Sequence, residues 1–329
     1  MKISVIGSGA WGTALGVSLS ATADVSVYVR NPDLLDDILS HGENRRYLPG
    51  VRFSGKVEFS SNLENVLSQA DCVILAMPTA GLRSTLRDCL AASDNSCGYV
   101  LACKGFEHGS GKFPQDVFSE EFGLQIPAAL LSGPSFAADL AAKKPVAVVL
   151  ASTNKSFFDT LEGPFGRAGI RSYYSSDLIG VAVGGAVKNV IAIAAGMCEG
   201  LGFGSSASAA LVTRGLNEMM GLGNALGGDA RTLTGLSGLG DLALTCFGDL
   251  SRNKGVGLAL ARGSAIQEIE KNLGHVAEGV MATDEVCRLA TTFSVEMPIA
   301  NAVQSVLQGL ATPSQAAESL LSRPSKSEV

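Results

Sequence analysis

Short β-branched runs alternate with helix-length segments through the first half of the chain. The strand-like runs fall at residues 2–6, 25–30, 72–77, 99–103, 128–131, 146–150 and 170–174. Several are apolar throughout rather than alternating, the pattern of strands covered on both faces. With helical stretches between several of them, they predict a doubly wound, mostly parallel sheet wrapped by crossover helices. From about residue 178 onward Ala, Gly, Leu and Met dominate, and helix-period patterns such as 211–226 replace the strands. The expected organisation is an α/β domain over residues 1–178 followed by an all-helical domain over 179–329. No internal repeat stands out, and the polar stretch 322–329 is expected to fray.

The apolar run from 178 to 198 approaches the length of a membrane span. Lys188 and Asn189 sit at its middle, however, the worst place for a charge in a bilayer. A buried helix of a soluble protein is the expected form, with no stable membrane insertion. Of the 329 residues, 46% are hydrophobic and only 17% charged, which supplies enough apolar material for two cores. A net charge of −6 and the lack of any basic run argue against nucleic acid, whose phosphates demand clustered Lys and Arg. Seven cysteines, an odd count with no CxxC, suggest neither a disulfide framework nor a zinc site. The three histidines share no spacing, so no metal is expected. Free thiols and a strand pattern that begins at residue 2, with no leader before it, point to the cytoplasm.

The first strand runs into Gly7-Ser8-Gly9-Ala10-Trp11-Gly12 and then a helical segment. In this GxGxxG pattern Gly7 allows a tight turn and Gly9 lets a pyrophosphate approach the backbone. Gly12 lets helix and strand pack closely, and the helix N-terminus faces the phosphate charge. Strand before, helix after and a second strand beyond are the context that gives the pattern its meaning: a Rossmann-type dinucleotide site. The second strand ends at Arg30, where an acidic residue would accept hydrogen bonds from the ribose hydroxyls of NAD. An arginine there suits the 2′-phosphate of NADP, so NADPH is the preferred cofactor and NAD the other option. Trp11 either covers the cofactor's phosphates or plugs the seam between helix and sheet.

Lys188 lies in an apolar helix with Gly184, Gly185, Ile191 and Ala192 on its own face. The glycines leave a hollow beside it, into which a backbone or a ligand can come. A buried ammonium must be paired or lose its proton more easily, and in the second case it serves as an acid/base near neutral pH. Spacing alone supports a catalytic lysine and a structural ion pair equally. Four other segments carry groups that suit the same chemistry. Lys104 follows a strand, where open α/β sheets bind ligands. Gly133 and Ser135 belong to the turn Ser132-Gly133-Pro134-Ser135, rich in amides and hydroxyls. A glycine-rich lead enters a helix carrying Asp241 and Thr245, and Ser251-Arg252-Asn253 offers a guanidinium and two neutral donors for a phosphate. His275 stands in a turn-like stretch positioned to touch a cofactor.

Together these segments resemble the bacterial-type NAD(P)-dependent glycerol-3-phosphate dehydrogenases. Seven motifs occur in the family's order, from Met1 to roughly Leu320. They are Gly7 through Ala14, Lys104-Gly105, Ser132 through Ala137, Gly184 through Asn189, Gly238 through Leu242, Ser251 through Asn253, and Val276-Ala277-Glu278-Gly279. The resemblance implies that Lys188 is the catalytic acid/base, with Asp241 as its ionic partner and Lys104 beside the substrate and the nicotinamide. It places Gly133, Ser135, Asp241, Ser251, Arg252 and Asn253 at the substrate, and Ala10, Trp11, Arg30, Ala137, Arg252, Val276 and Glu278 at the cofactor. Ala10 departs from the family, whose members often carry serine there, at the cost of one hydroxyl contact.

The implied activity is the interconversion of dihydroxyacetone phosphate and sn-glycerol 3-phosphate by hydride transfer, feeding glycerophospholipid synthesis, in a homodimer. Two other readings compete. A related two-domain β-hydroxyacid dehydrogenase also places a lysine in its helical domain, but Ser251-Arg252-Asn253 favours a phosphorylated substrate. A non-catalytic NADP sensor leaves Lys188 and Asp241 without a purpose.

Overall fold

A computed structural model describes residues 1–53, 56–93, 96–273 and 277–324. Contacts divide the chain into two compact units, Met1–Ala182 and a second beginning at Val183.

Among the described residues, the first unit contains one sheet of eight strands: β1 (Lys2–Ile6), β2 (Asp24–Tyr28), β3 (Val57–Ser60), β4 (Cys72–Leu75), β5 (Gly98–Leu101), β6 (Ala128–Ser132), β7 (Val146–Ala151) and β8 (Ile170–Ser175). Their order is β3-β2-β1-β4-β5-β6-β7-β8. The order reverses beside β1, which pairs with β2 through Ile3 opposite Val25 and with β4 through Ile3 opposite Cys72. Ligands of open α/β sheets bind at such a reversal, beyond the carboxyl ends of the strands. β4 and β5 are buried at every position, which explains their uninterrupted apolar sequences. The core joins Ile3, Val5, Ile74 and Val100 from the sheet to Leu15 and Leu19 from helix Ala10–Leu19, and to Phe157 and Phe165 from helix Lys155–Arg167.

One strand was missed, and one pairing falls within the exception that a mostly parallel sheet allows. β3 was not anticipated: three of its residues are half-buried and Glu58 is exposed, and Val57-Glu58-Phe59-Ser60 has too short a pattern to separate strand from loop. β7 runs antiparallel to β6, although both lie in an otherwise parallel sheet. The connection holds only the short helix Ala137–Ala141, and β7 and β6 are apolar enough to read alike in either direction.

The second unit is built of helices. Helix Leu178–Gly200 is long and apolar enough to cross a membrane, with a mean hydropathy of 1.9, yet 89% of its most apolar window is buried inside the protein. Other backbones press directly on it. A Cβ on Gly184 would stand 2.2 Å from the Ser237 carbonyl oxygen, and one on Gly196 would stand 2.1 Å from that of Lys254. The hollow beside Lys188 is thus filled on one side by the glycine-rich segment that leads to Asp241. That segment, Leu236–Gly240, is a π-helical turn, a rare form that is frequent at functional sites. Elsewhere in this unit the buried carboxylate of Glu218, on helix Gly204–Ala225, accepts from the Ile299 and Ala300 amides at 2.7 and 3.2 Å. It thereby caps helix Pro298–Leu307 from outside.

Candidate active site

The glycine loop is shaped from within the first unit. Gly7 has φ +117°, open to glycine at little cost, and a Cβ there would stand 2.7 Å from the Ala76 carbonyl oxygen. A Cβ on Gly12 would lie 1.9 Å from the Gly7 carbonyl oxygen, so this glycine is required by packing alone. Gly9 is different: a Cβ there would meet no atom of the described residues within 4 Å. Its backbone is extended, φ −70° and ψ −176°, which any residue can adopt. Nothing among the described residues demands a glycine at this position, whereas a pyrophosphate lying against the backbone does. Gly9 is also the N-cap of helix Ala10–Leu19 and brings no side chain to cap it. The first-turn amides of Ala10, Trp11 and Gly12 are therefore of the kind that anions satisfy. These residues fit a dinucleotide. Trp11 is partly buried and packs on the main core, so it does at least part of the work of closing the seam. Arg30 is exposed two residues beyond the end of β2.

Three other expected residues meet within the same unit. Lys104 Nζ donates to the Gly133 carbonyl at 3.4 Å, and Ser135 Oγ donates to the same carbonyl at 3.1 Å. Gly133 itself has φ +132°, with β7 backbone only 3.1 Å from where a Cβ would be. The segment bearing Lys104 is anchored twice. Thr79 Oγ1 donates to its carbonyl at 2.7 Å, and Arg83 grips Glu107 through two bonds of 2.7 and 2.8 Å. The Arg83 guanidinium holds the Glu107 carboxyl down to about 2. Ala137 begins helix Ala137–Ala141 and packs on the main core.

In the second unit Lys188 is buried, and its Nζ donates to Asp241 Oδ1 at 2.7 Å and to Thr245 Oγ1 at 2.9 Å. The Thr245 hydroxyl proton goes to the Asp241 backbone carbonyl at 2.6 Å, which turns an oxygen lone pair toward the ammonium. Asp241 and Thr245 stand four apart on helix Asp241–Phe247 and so share a face. The next residue, Asn189, joins a second network. Its Nδ2 donates to Glu278 Oε2 at 3.2 Å, its Oδ1 accepts from Asn253 Nδ2 at 2.9 Å, and Asn253 Oδ1 accepts from the Gly279 amide at 3.0 Å. Asn253 and Glu278 are thus tied to the turn of helix that carries Lys188. Ser251 Oγ caps helix Arg252–Ala261 by accepting from the Lys254 amide at 3.2 Å, which leaves its own proton to donate. Arg252, the first residue of that helix, is exposed. Val276 and His275 lie outside the described residues.

Both halves of the chain match profiles of one family: the NAD-dependent glycerol-3-phosphate dehydrogenase N-terminus over residues 2–158, and its C-terminus over residues 177–318. The chain belongs to the NAD-dependent glycerol-3-phosphate dehydrogenase family. It is similar along its full length to a glycerol-3-phosphate dehydrogenase (NAD(P)+) of Dechloromonas aromatica, at 46% identity with 100% of both chains covered. A protein of the same description from Nitrosomonas eutropha is 47% identical over 93% of each chain. Among solved structures, the glycerol-3-phosphate dehydrogenase of Coxiella burnetii superposes with a TM-score of 0.93 at 37% identity, covering 98% of this chain and 99% of that one.

As a member of this family the chain is an NAD(P)-dependent oxidoreductase with a Rossmann-type cofactor domain. Two members of the buried networks carry no role in the sequence reading. Asn189 closes the motif Gly184 through Asn189, in which only Lys188 is given a function. Asn44 lies 36 positions from Ser8, whose carbonyl it holds at 2.8 Å. The partners of both are remote in sequence, so no local pattern announces them.

Proposed function

We propose that this dehydrogenase interconverts dihydroxyacetone phosphate and sn-glycerol 3-phosphate, with Lys188 as the acid/base. The observation that carries the reading is the buried Lys188–Asp241–Thr245 cluster. A bound nicotinamide supplies or takes up the hydride. In reduction, the Lys188 ammonium polarises the substrate carbonyl and gives its oxygen a proton as carbon–hydrogen bonding develops. Asp241 holds the ammonium in place and balances its charge in an interior where an unpaired cation is costly. In oxidation the neutral amine takes the hydroxyl proton back.

Lys104, Gly133 and Ser135 contact the substrate in this proposal, and Lys104 also contacts the nicotinamide. Arg252, Ser251 and Asn253 take the phosphate, for which a guanidinium with neutral donors beside it is well suited. Gly7, Gly9, Ala10, Trp11 and Gly12 form the pyrophosphate cradle, with Ala137, Arg252, Val276 and Glu278 as further cofactor contacts. Arg30 faces the 2′-phosphate and makes NADPH the preferred form. We place the enzyme in the cytoplasm as a homodimer that supplies glycerol 3-phosphate for glycerophospholipid synthesis.

Initial rates with dihydroxyacetone phosphate, using NADPH and then NADH, test substrate and cofactor together. Turnover should be readily measured with both, with the higher kcat/KM for NADPH. Turnover confined to an unphosphorylated β-keto acid would overturn the substrate assignment, and a higher kcat/KM for NADH would overturn that of Arg30.

A further inference from the structure

Asn44 belongs to none of the seven motifs, yet its side chain is fully buried against the glycine loop. Its Nδ2 donates to the Ser8 carbonyl at 2.8 Å and to Thr13 Oγ1 at 2.9 Å, and its Oδ1 accepts from the Tyr47 amide at 3.2 Å. The partners fix which end of the amide is which, because a carbonyl needs a donor and an N–H needs an acceptor. Thr13 Oγ1 adds a second, longer bond of 3.3 Å to the Ser8 carbonyl.

We propose that Asn44 is a positioning residue that sets the affinity for the dinucleotide by locking the Ser8–Gly9 peptide. The proposal rests on the cofactor reading of the glycine loop. In a planar trans peptide the carbonyl and the following N–H point in opposite directions. Holding the Ser8 carbonyl on Asn44 and Thr13 therefore directs the Gly9 N–H away from them and sets the entry of helix Ala10–Leu19. A loop with glycine at positions 7 and 9 has little stiffness of its own, and ordering it on binding would cost affinity. Asn44 removes that freedom beforehand.

The segment that delivers Asn44 is built to be rigid. The Phe53 amide donates to the Gly42 carbonyl at 2.9 Å, the Leu48 amide to the Asn44 carbonyl at 2.8 Å, and the Gly50 amide to Glu43 Oε1 at 2.6 Å. Glu43 and Arg52 form an antiparallel bridge, and Leu48 is buried in the main core. The ends of this loop are thus tied together and its middle is nailed to the sheet domain, in the manner of a compact Ω-loop.

Trp11, the one tryptophan of the chain, lies in the loop, so its fluorescence and energy transfer to added NADPH are the readout of binding. Asn44→Leu should raise both the Kd and the KM for NADPH roughly tenfold or more, as loss of a buried donor does. At saturating NADPH, kcat and the KM for dihydroxyacetone phosphate should stay within about twofold, a split that general loosening of the fold does not produce. Asn44→Asp adds a signature. A protonated carboxyl can donate to the Ser8 carbonyl and a carboxylate cannot, so its Kd relative to wild type should climb as pH rises. If Asn44→Leu does not fold, Thr13→Val decides the matter, with about a threefold rise in Kd expected from the weaker bond. Wild-type affinity in the folded Asn44 variants, or in Thr13→Val where it must decide, overturns the assignment. A wild-type protein that binds no nicotinamide dinucleotide overturns the cofactor reading instead.

Discussion

The Lys188 ammonium lies 2.7 Å from the Asp241 carboxylate, and 91% of the one side chain and 97% of the other are shielded from solvent. Breaking such a pair from one side leaves an uncompensated charge indoors, at a cost of about 3–5 kcal/mol. Asp241→Asn should lose that much stability in urea unfolding and most of its turnover. Lys188→Met combined with Asp241→Leu should recover stability but not activity, since an apolar pair of similar volume replaces a buried ion pair at little cost. Lys188→Ala should lower kcat by about a thousandfold while NADPH binding, followed through Trp11, stays near wild type. Wild-type turnover in Lys188→Ala would end the catalytic assignment.

Gly9 and Gly12 separate binding from folding. Gly9→Ala adds a methyl group where the described residues have no atom within 4 Å, so melting should be unchanged or raised slightly. Its KM for NADPH should nevertheless rise about tenfold or more, because the methyl group occupies the approach of the pyrophosphate. Gly12→Ala drives a methyl group to 1.9 Å from the Gly7 carbonyl oxygen and should destabilise the protein before any question of binding arises. Thermal melts and cofactor titrations of the two variants should thus give opposite patterns.

Arg252 opens helix Arg252–Ala261 with Ser251 as its cap, so its guanidinium stands at the positive end of that helix. Arg252→Ala should raise the KM for dihydroxyacetone phosphate by about ten- to a hundredfold, in keeping with the loss of a charge-assisted contact. Arg252→Lys should recover only part of this, since an ammonium cannot make the bidentate grip. An unchanged KM in the alanine variant would remove Arg252 from the phosphate site.

Glu218 gives the fold a pH dependence of its own. Burial pushes its carboxyl up to about 7 from an ordinary 4.5, against the two amide donations from Ile299 and Ala300. Below about 4.5 the group is protonated whether the chain is folded or unfolded. Between about 4.5 and 7 the unfolded chain gives up the proton and the folded one keeps it, so stability falls as pH rises through that window and levels off above it. The size of the fall is about 2–4 kcal/mol. Urea unfolding of wild type and Glu218→Gln across this range should show the slope in the difference between them. A constant difference would contradict it.

What was legible in the sequence was what depends on neighbours in the chain. β1, the glycine loop and the end of β2 are consecutive, and strand period, glycine spacing and Arg30 can be read as one unit. The buried helix around Lys188 was equally plain, because a charge at the centre of an apolar run has few places to go. Spacing alone left open whether that lysine was paired, since Asp241 is 53 positions away, and only the family resemblance named the partner. Spacing left the hollow beside Gly184 open to either a ligand or a backbone, and the Ser237 carbonyl fills it. The direction of β7 was illegible for a different reason: the alternation of side chains is the same whichever way a strand runs.

The close backbone contacts at Gly184 and Gly196 bear on how this protein can change over time. Helix Leu178–Gly200 is located there by carbonyl groups, which every residue possesses and no substitution of a neighbour removes. Exchange of the surrounding side chains can therefore accumulate without sliding Lys188 along its helix axis. Glycines at these contacts are the exception, Gly184 and Gly196 on the helix and Gly257 and Gly279 against it, because any larger residue there would have to push a backbone away. The placement of the lysine is buffered against drift at most positions and brittle at its glycine contacts.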